Sequence, residues 1–215
     1  MIKAKFGARL DIWIRRLFPF LFVARVSPNA LSVAGTGVSL AAAAAFGAGA
    51  LAPAGLLVLF GGFFDLVDGV VARHQGRATR FGAFLDATLD RVQEMALLLG
   101  ITLYFARANE ATHVLLAGYV LAASLLTSYL QARAELVLPA FRVGILERAE
   151  RVLILAAGAL TDLLVPALWL LALGCSVTVI QRFAKAWQEL ARLDASDSHE
   201  IGVDASDSHE IRGQI

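Results

Sequence analysis

The chain has 215 residues, of which 58% are hydrophobic and only 17% are charged, and its mean hydropathy is +0.69. This composition is far more apolar than that of a soluble globular domain, and its apolar runs approach the roughly 20 residues needed to cross about 30 Å of hydrocarbon. Nucleic-acid-binding proteins, disordered chains and secreted disulfide scaffolds are therefore excluded. The net charge of +1 says little by itself, because in a membrane protein the placement of Lys and Arg decides orientation.

The first 26 residues combine basic and aromatic side chains. Five basic residues between Lys3 and Arg16 are interleaved with apolar residues such as Trp13. This pattern is not that of a signal peptide, and it favours an amphipathic helix on the membrane surface, with its basic face toward anionic lipid. An ordinary basic flank that fixes the topology is the alternative interpretation.

Six apolar segments follow, and each is predicted to be a transmembrane helix. They span residues 31–50, 53–72, 84–105, 113–133, 152–166 and 167–186. With a cytoplasmic N-terminus, the basic residues that flank these segments fall on one side of the membrane, except for Arg107, as the positive-inside rule expects. We therefore predict an all-α bundle of six transmembrane helices over residues 27–193 of a cell-membrane protein, with both termini cytoplasmic.

The C-terminal residues 194–215 contain the octapeptide DASDSHEI twice. This duplication is polar and acidic, and it has no apolar face. We interpret it as a tail outside the functional domain, either disordered or an artificial addition to the protein.

Four aspartates interrupt the second and third apolar segments. They are Asp65, Asp68, Asp86 and Asp90. Their spacing places each pair on one helix face, and the short loop between the two segments brings the faces together. Since a charged group in a membrane helix costs on the order of 3 kcal/mol, four carboxylates require compensating cations. The cluster is suited to one or two hard divalent ions such as Mg²⁺ at the cytoplasmic end of the bundle.

Small residues and an arginine accompany these acids. Gly69, Ala72 and Gly82 leave room for a ligand close to the backbone, and Arg73 adds a fork of donors suited to phosphate oxygens. Together these residues indicate a phosphoryl-transfer site. The alternative is that the aspartates only form ion pairs with nearby arginines such as Arg91, which explains charge neutrality but not the small residues.

The segment from Asp65 to Asp90 reads DLVDGVVARHQGRATRFGAFLDATLD, and it resembles the signature of the CDP-alcohol phosphotransferase family, D-x2-D-G-x2-A-R-x8-G-x3-D-x3-D. The eight fixed positions all match, at Asp65, Asp68, Gly69, Ala72, Arg73, Gly82, Asp86 and Asp90. The resemblance implies an enzyme that moves a phosphatidyl group from a CDP-linked lipid, CDP-diacylglycerol, to the hydroxyl of a second alcohol and releases CMP. It also implies a homodimer.

The same resemblance assigns roles to the motif residues. It implies that Asp65, Asp68 and Asp86 bind metal, and that Asp90 is both a ligand and the general base. The metal would be two ions of Mg²⁺ or Mn²⁺. The residues implied to line the CDP-lipid site are Gly69, Ala72, Arg73 and Gly82.

Arginines in the second half of the chain predict a phosphorylated acceptor rather than a neutral polyol. The predicted contacts of its phosphate are Arg133, Arg148, Arg151 and Arg182. The stretches SYLQARAE, GILERAERVLIL and VTVIQR resemble the prokaryotic phosphatidylinositol-phosphate synthase branch, which implies inositol 1-phosphate as the acceptor. Gln131 stands where that branch usually has a lysine, so either Arg133 or Arg148 compensates for the missing charge or the acceptor differs, with glycerol 3-phosphate as the leading alternative.

A cation transporter is the rival functional class, since carboxylates inside a membrane often mark a cation path. All four aspartates, however, lie toward one side of the predicted bundle. Of the other predicted spans only 152–166 contains an acidic residue, Asp162, and this single residue does not continue a path across the membrane. The sequence therefore favours the enzyme.

Overall fold

The computed structural model of the chain describes residues 27–74, 79–138 and 141–212. Six α-helices and no β-strand occur in this described part, which confirms the all-α prediction. The helices are α1 (Pro28–Gly47), α2 (Leu51–His74), α3 (Arg80–Arg107), α4 (Ala111–Glu135), α5 (Arg148–Leu160) and α6 (Leu164–Arg212). The predicted amphipathic helix of residues 1–26 lies outside the described residues.

Side-chain caps begin the two helices on either side of α2. Ser27 precedes α1 and accepts a hydrogen bond from Ala30 N at 3.3 Å, and Pro28 occupies the first turn, where no amide hydrogen is needed. Thr79 precedes α3 and accepts a hydrogen bond from Gly82 N at 2.9 Å. The motif residue Gly82 therefore lies in the capped first turn of α3.

The boundary between the last two helices differs from the predicted one. The sequence places it between Pro166 and Ala167, whereas α5 ends at Leu160 and α6 begins at Leu164. The chain reverses at Asp162, which has a φ of 58°. Pro166 lies in the first turn of α6, where a missing amide hydrogen breaks no helical bond.

Four of the described helices are long and apolar enough to cross a membrane. The candidate spans are Pro28–Gly47, Leu51–Val71, Ala111–Glu135 and Leu164–Ala195. Helix α5 has only 13 residues, about 20 Å, which is shorter than the hydrocarbon core. Helix α3 has 28 residues but carries several charges in its first half. The structure thus supports a membrane protein with four candidate spans, and six spans are not confirmed.

The described residues form two compact units, and both α4 and α6 contribute to each. The first comprises residues up to Ala122 together with Glu147–Ala172. Within it α1 packs against α2 and α3, and α2 packs against α5. Close approach depends on small residues, since a Cβ added to Gly61 of α2 would lie 2.7 Å from Ser39 Oγ of α1.

The first unit also ties the ends of α1 and α3 together, away from the aspartates. Arg107, the last residue of α3, donates a hydrogen bond from Nη1 to the carbonyl of Gly47 at 2.5 Å. Gly47 is the last residue of α1, so the guanidinium lies at the negative end of that helix's dipole.

The second unit comprises Ala123–Leu146 and the residues from Leu173 onward. Its backbone remains helical through Arg212, so α6 runs into the polar segment 194–215. This differs from the predicted disorder of the segment, and no proline occurs between Ala167 and Arg212 to break the helix. That this segment lies outside the functional domain stays a prediction.

Candidate active site

The aspartates of the motif lie on two helices of the first unit. Asp65 and Asp68 are near the end of α2, and Asp86 and Asp90 are in the first half of α3. Asp68 is buried, Asp65 and Asp90 are partly buried, and Asp86 is exposed. Asp65 and Asp86 each act electrostatically on both Asp68 and Asp90, so the four carboxylates share one neighbourhood.

Arg148, the first residue of α5, contacts carboxylates from both helices. Its Nη1 lies 2.7 Å from Asp65 Oδ2 and 2.7 Å from Asp90 Oδ1. Arg91, an arginine of the alternative interpretation, lies farther away, with Nη1 3.7 Å from Asp90 Oδ2. A single guanidinium nitrogen thus bridges α2 and α3, and it compensates charges that would otherwise repel each other.

Asp68 is held from α1 by a residue that the sequence interpretation missed. Ser32 Oγ donates a hydrogen bond to Asp68 Oδ2 at 2.6 Å, and both side chains are buried. The available signal is a polar stripe in an otherwise apolar helix, because Ser32, Thr36 and Ser39 are spaced by four and three residues and share one face.

The acid cluster fits a divalent cation in the chemistry of its donors. It supplies only carboxylate oxygens, the ligand type that Mg²⁺ and Mn²⁺ prefer. Asp65 Oδ2 and Asp90 Oδ1 already face one positively charged nitrogen. Among the described residues, no three Asp, Glu, His or Cys side chains form a complete metal cage. The metal-binding roles of the four aspartates therefore stay predictions.

The small residues of the motif lie beside the acids along the chain. Gly69 follows Asp68 on α2, and Gly82 is in the first turn of α3. A Cβ added to Gly82 would lie 3.0 Å from Thr79 Oγ1 and 3.4 Å from Asn29 Oδ1, so this turn is crowded. The backbones of the third small residue, Ala72, and of the motif arginine, Arg73, belong to α2, and the side chains of both are outside the described part.

Arg151 forms a buried ion pair with Glu94, one turn from the Arg148 contacts. Its Nε donates to Glu94 Oε1 at 2.6 Å, and its Nη2 donates to Oε2 at 3.0 Å. The two side chains are only 5% and 8% exposed. The partner of Glu94 thus lies on another helix, α5.

The remaining two predicted phosphate contacts belong to the second unit. Arg182 is buried in α6, where its Nε donates to the Val143 carbonyl at 2.8 Å and its Nη1 donates to the Thr127 carbonyl. Arg133 is exposed near the end of α4. The nearby Gln131 donates to Glu135 Oε1 at 2.5 Å. Arg182 therefore fastens the segment before α5 to α6.

Comparisons with known proteins agree with the motif. The family model described as CDP-alcohol phosphatidyltransferase matches residues 25–180. The archaetidylinositol phosphate synthase of Methanothermobacter thermautotrophicus is 39% identical over 166 residues, which cover 74% of this chain and 83% of the relative. The phosphatidylinositol phosphate synthase of Streptomyces avermitilis is 38% identical over 197 residues, which cover 84% and 80%, respectively.

Solved structures show the same likeness. The crystal structure of Mycobacterium tuberculosis phosphatidylinositol phosphate synthase with CDP-DAG bound has a TM-score of 0.73 at 32% identity, covering 83% of this chain and 94% of that one. A crystal structure of the same synthase in complex with manganese and citrate has a TM-score of 0.74 at 32% identity, covering 80% and 88%.

Proposed function

This chain belongs to the CDP-alcohol phosphatidyltransferase family, and from that premise we propose that it transfers a phosphatidyl group from CDP-diacylglycerol to the hydroxyl of inositol 1-phosphate. The other product is CMP. The observation that carries the proposal is the convergence of Asp65 and Asp90, the first and last motif residues, on Arg148. The names of the relatives and the CDP-DAG in a solved structure support the choice of donor and acceptor.

We propose that the four aspartates hold two divalent ions, Mg²⁺ or Mn²⁺. The ligands are Asp65, Asp68, Asp86 and Asp90. When bound, such ions neutralise the diphosphate of the CDP-lipid and stabilise the charge that develops on CMP. The manganese in the related mycobacterial structure supports this assignment. Ser32 restrains Asp68 for this role through the 2.6 Å hydrogen bond.

Asp90 is the proposed general base. An alcohol is a poor nucleophile at neutral pH, so a carboxylate must accept its proton as it attacks. The acceptor oxygen forms a bond to the phosphorus that carries the diacylglycerol, the bond from that phosphorus to the CMP oxygen breaks, and the proton passes to Asp90. The Asp90 side chain is 18% exposed, so an acceptor can reach it.

The CDP-lipid is proposed to bind along the small residues of the motif. These are Gly69, Ala72 and Gly82, with Arg73 beside the phosphates. The crowded first turn of α3 gives a separate reason for a glycine at position 82, since a side chain there would meet Thr79.

The acceptor phosphate is proposed to contact Arg133, Arg148, Arg151 and Arg182. The contacts favour Arg148 most, because its Nε is buried without a hydrogen-bond partner in the described part of the chain. Its guanidinium can also exchange a carboxylate for a phosphate oxygen, which is an equivalent acceptor. Gln131 supplies no positive charge and is engaged by Glu135, which keeps glycerol 3-phosphate as the second candidate acceptor.

The membrane arrangement is also part of the proposal. We propose that the protein is a homodimer in the cell membrane and that all six described helices are embedded in that membrane. The active site and both termini face the cytoplasm in this proposal. The asymmetric distribution of Lys and Arg supports this orientation.

An acceptor panel tests the proposed function. Purified full-length protein is incubated with CDP-diacylglycerol, Mg²⁺ and one of inositol 1-phosphate, glycerol 3-phosphate, inositol or serine, and CMP is measured. Inositol 1-phosphate is expected to give the fastest release. Faster release with glycerol 3-phosphate would move the assignment to that acceptor. Cation flux in liposomes without CMP release would support the transporter and overturn the enzyme.

A further inference from the structure

Gln93 is a buried amide on α3 that joins four helices of the first unit, and its side chain is only 4% exposed. Its Nε2 donates hydrogen bonds to Thr36 Oγ1 at 3.1 Å and to Asp65 Oδ1 at 3.3 Å. Its Oε1 accepts hydrogen bonds from Ser39 Oγ at 3.2 Å and from Arg148 Nη2 at 2.8 Å. The partners lie on α1, α2 and α5, and nothing in the motif identifies Gln93.

The orientation of this amide follows from the charges of its partners. A carboxamide offers two donors and two acceptor lone pairs, and all four are used. The carboxylate of Asp65 requires the amino end, and the guanidinium of Arg148 requires the carbonyl end. A flipped amide would place oxygen against oxygen and donor against donor. The two ends of the amide are therefore not interchangeable, although the neighbouring hydroxyls of Thr36 and Ser39 could bind either end.

The amide decides which atoms of its two charged partners face the acid cluster. It binds Asp65 through Oδ1, and Oδ2 then points to Arg148 Nη1 at 2.7 Å. It binds Arg148 through Nη2, and Nη1 is then shared between Asp65 and Asp90. Without the amide, Asp65 and Arg148 keep their charges but lose the hydrogen bonds that orient their side chains.

We propose that Gln93 is a positioning residue for the cation site, which fixes the orientation of the Asp65 carboxylate through Oδ1 and holds Arg148 beside it. The inference rests on the proposed metal-binding role of the aspartates. A residue that merely fills the core would affect stability alone, whereas a positioning residue also changes metal affinity, by about 10- to 100-fold for residues that orient ligands.

The test measures Mn²⁺ binding to detergent-solubilised full-length protein from the electron paramagnetic resonance signal of free Mn²⁺. Gln93→Met keeps the length of the side chain and removes all four hydrogen bonds. We expect its Mn²⁺ affinity to fall by about 10- to 100-fold. Ser39→Ala is the matched control, because it removes one bond to the same amide and leaves the bonds to Asp65 and Arg148, and it is expected to bind as the wild type does.

Two further variants separate the possible failures. Asp65→Asn should weaken Mn²⁺ binding, and if it binds as the wild type does, the proposed metal site itself falls. If Asp65→Asn weakens binding but folded Gln93→Met retains wild-type affinity, only the positioning role is overturned. Should Gln93→Met fail to fold, Gln93→Asn decides, since its shorter amide cannot span Asp65 and Arg148 together, and unchanged affinity would then refute the inference.

Discussion

Helices α3 and α5 meet in two acid–arginine contacts, one turn apart, that are built differently. Glu94 and Arg151 face each other with two hydrogen bonds, at 2.6 and 3.0 Å, and both are buried. Asp90 shares Arg148 with Asp65, and the Arg148 side chain is 22% exposed.

The difference indicates which contact can change partners during a reaction. A matched, buried pair is difficult to open, because separating it strands two charges away from water. A shared guanidinium at a partly exposed site holds each carboxylate with a single nitrogen, so a metal ion or a phosphate can compete for either partner. The Glu94–Arg151 pair therefore holds α3 and α5 together. One turn away, the carboxylate of Asp90 can exchange Arg148 for another partner.

The largest effect is expected at the Arg148 contact, when the carboxylate of Asp90 is replaced by an amide. Asp90→Asn should lower the turnover number by about 10²- to 10⁴-fold, because the proposed base is lost, while the protein still binds CDP-diacylglycerol. CMP release under saturating substrates measures the effect. Asp162→Asn, at the exposed turn between α5 and α6, serves as the matched control. Turnover retained in Asp90→Asn would remove the base assignment.

Glu94→Gln should act on stability rather than on the metal. The variant leaves the buried Arg151 without its counter-charge, and removing one partner of such a pair lowers the free energy of unfolding by about 3–5 kcal/mol. Thermal unfolding in detergent measures the loss, and Mn²⁺ binding by the folded fraction should stay unchanged. A stable variant with weakened Mn²⁺ binding would place Glu94 among the exchangeable contacts instead.

Replacing both partners sharpens the comparison. Glu94→Leu combined with Arg151→Met should recover most of the stability lost in Glu94→Gln, because apolar side chains can replace a buried ion pair at little net loss. Unfolding temperatures of the single and double variants give the comparison. The KM for inositol 1-phosphate then tests the proposed phosphate contact of Arg151, since an unchanged KM in the double variant would leave Arg151 with a structural role alone.

The smallest effect is expected at Ser32. Ser32→Ala removes the hydrogen bond to Asp68 Oδ2 and should weaken Mn²⁺ binding about tenfold. Titration with Mn²⁺ measures this, and Thr161→Ala is the control because its exposed hydroxyl, just after the end of α5, donates to the Ala157 carbonyl. Equal affinities in the two variants would show that Asp68 needs no support from α1.

The helices and the neighbourhood of the acids could be predicted from the sequence because both depend on short spacings. Apolar runs indicate helices, and the motif places two acids on each side of one short loop. The end of α5 was not predicted, since it depends on the turn at Asp162 rather than on Pro166. The contacts of Arg148 and Gln93 were not predicted either, because they join residues 28 or more positions apart on different helices, and only packing of the helices brings these together.

Arg107 is the one flanking basic residue that departs from the predicted charge asymmetry of the membrane protein. Its hydrogen bond to the Gly47 carbonyl gives Arg107 a structural role, because the final carbonyls of α1 have no amide partners within that helix. Under the proposed orientation, a residue that opposes the topogenic signal thereby joins α1 to α3 at the non-cytoplasmic ends of both helices. Replacing Arg107 with an uncharged residue would increase the charge asymmetry that directs membrane insertion and would weaken the contact between α1 and α3.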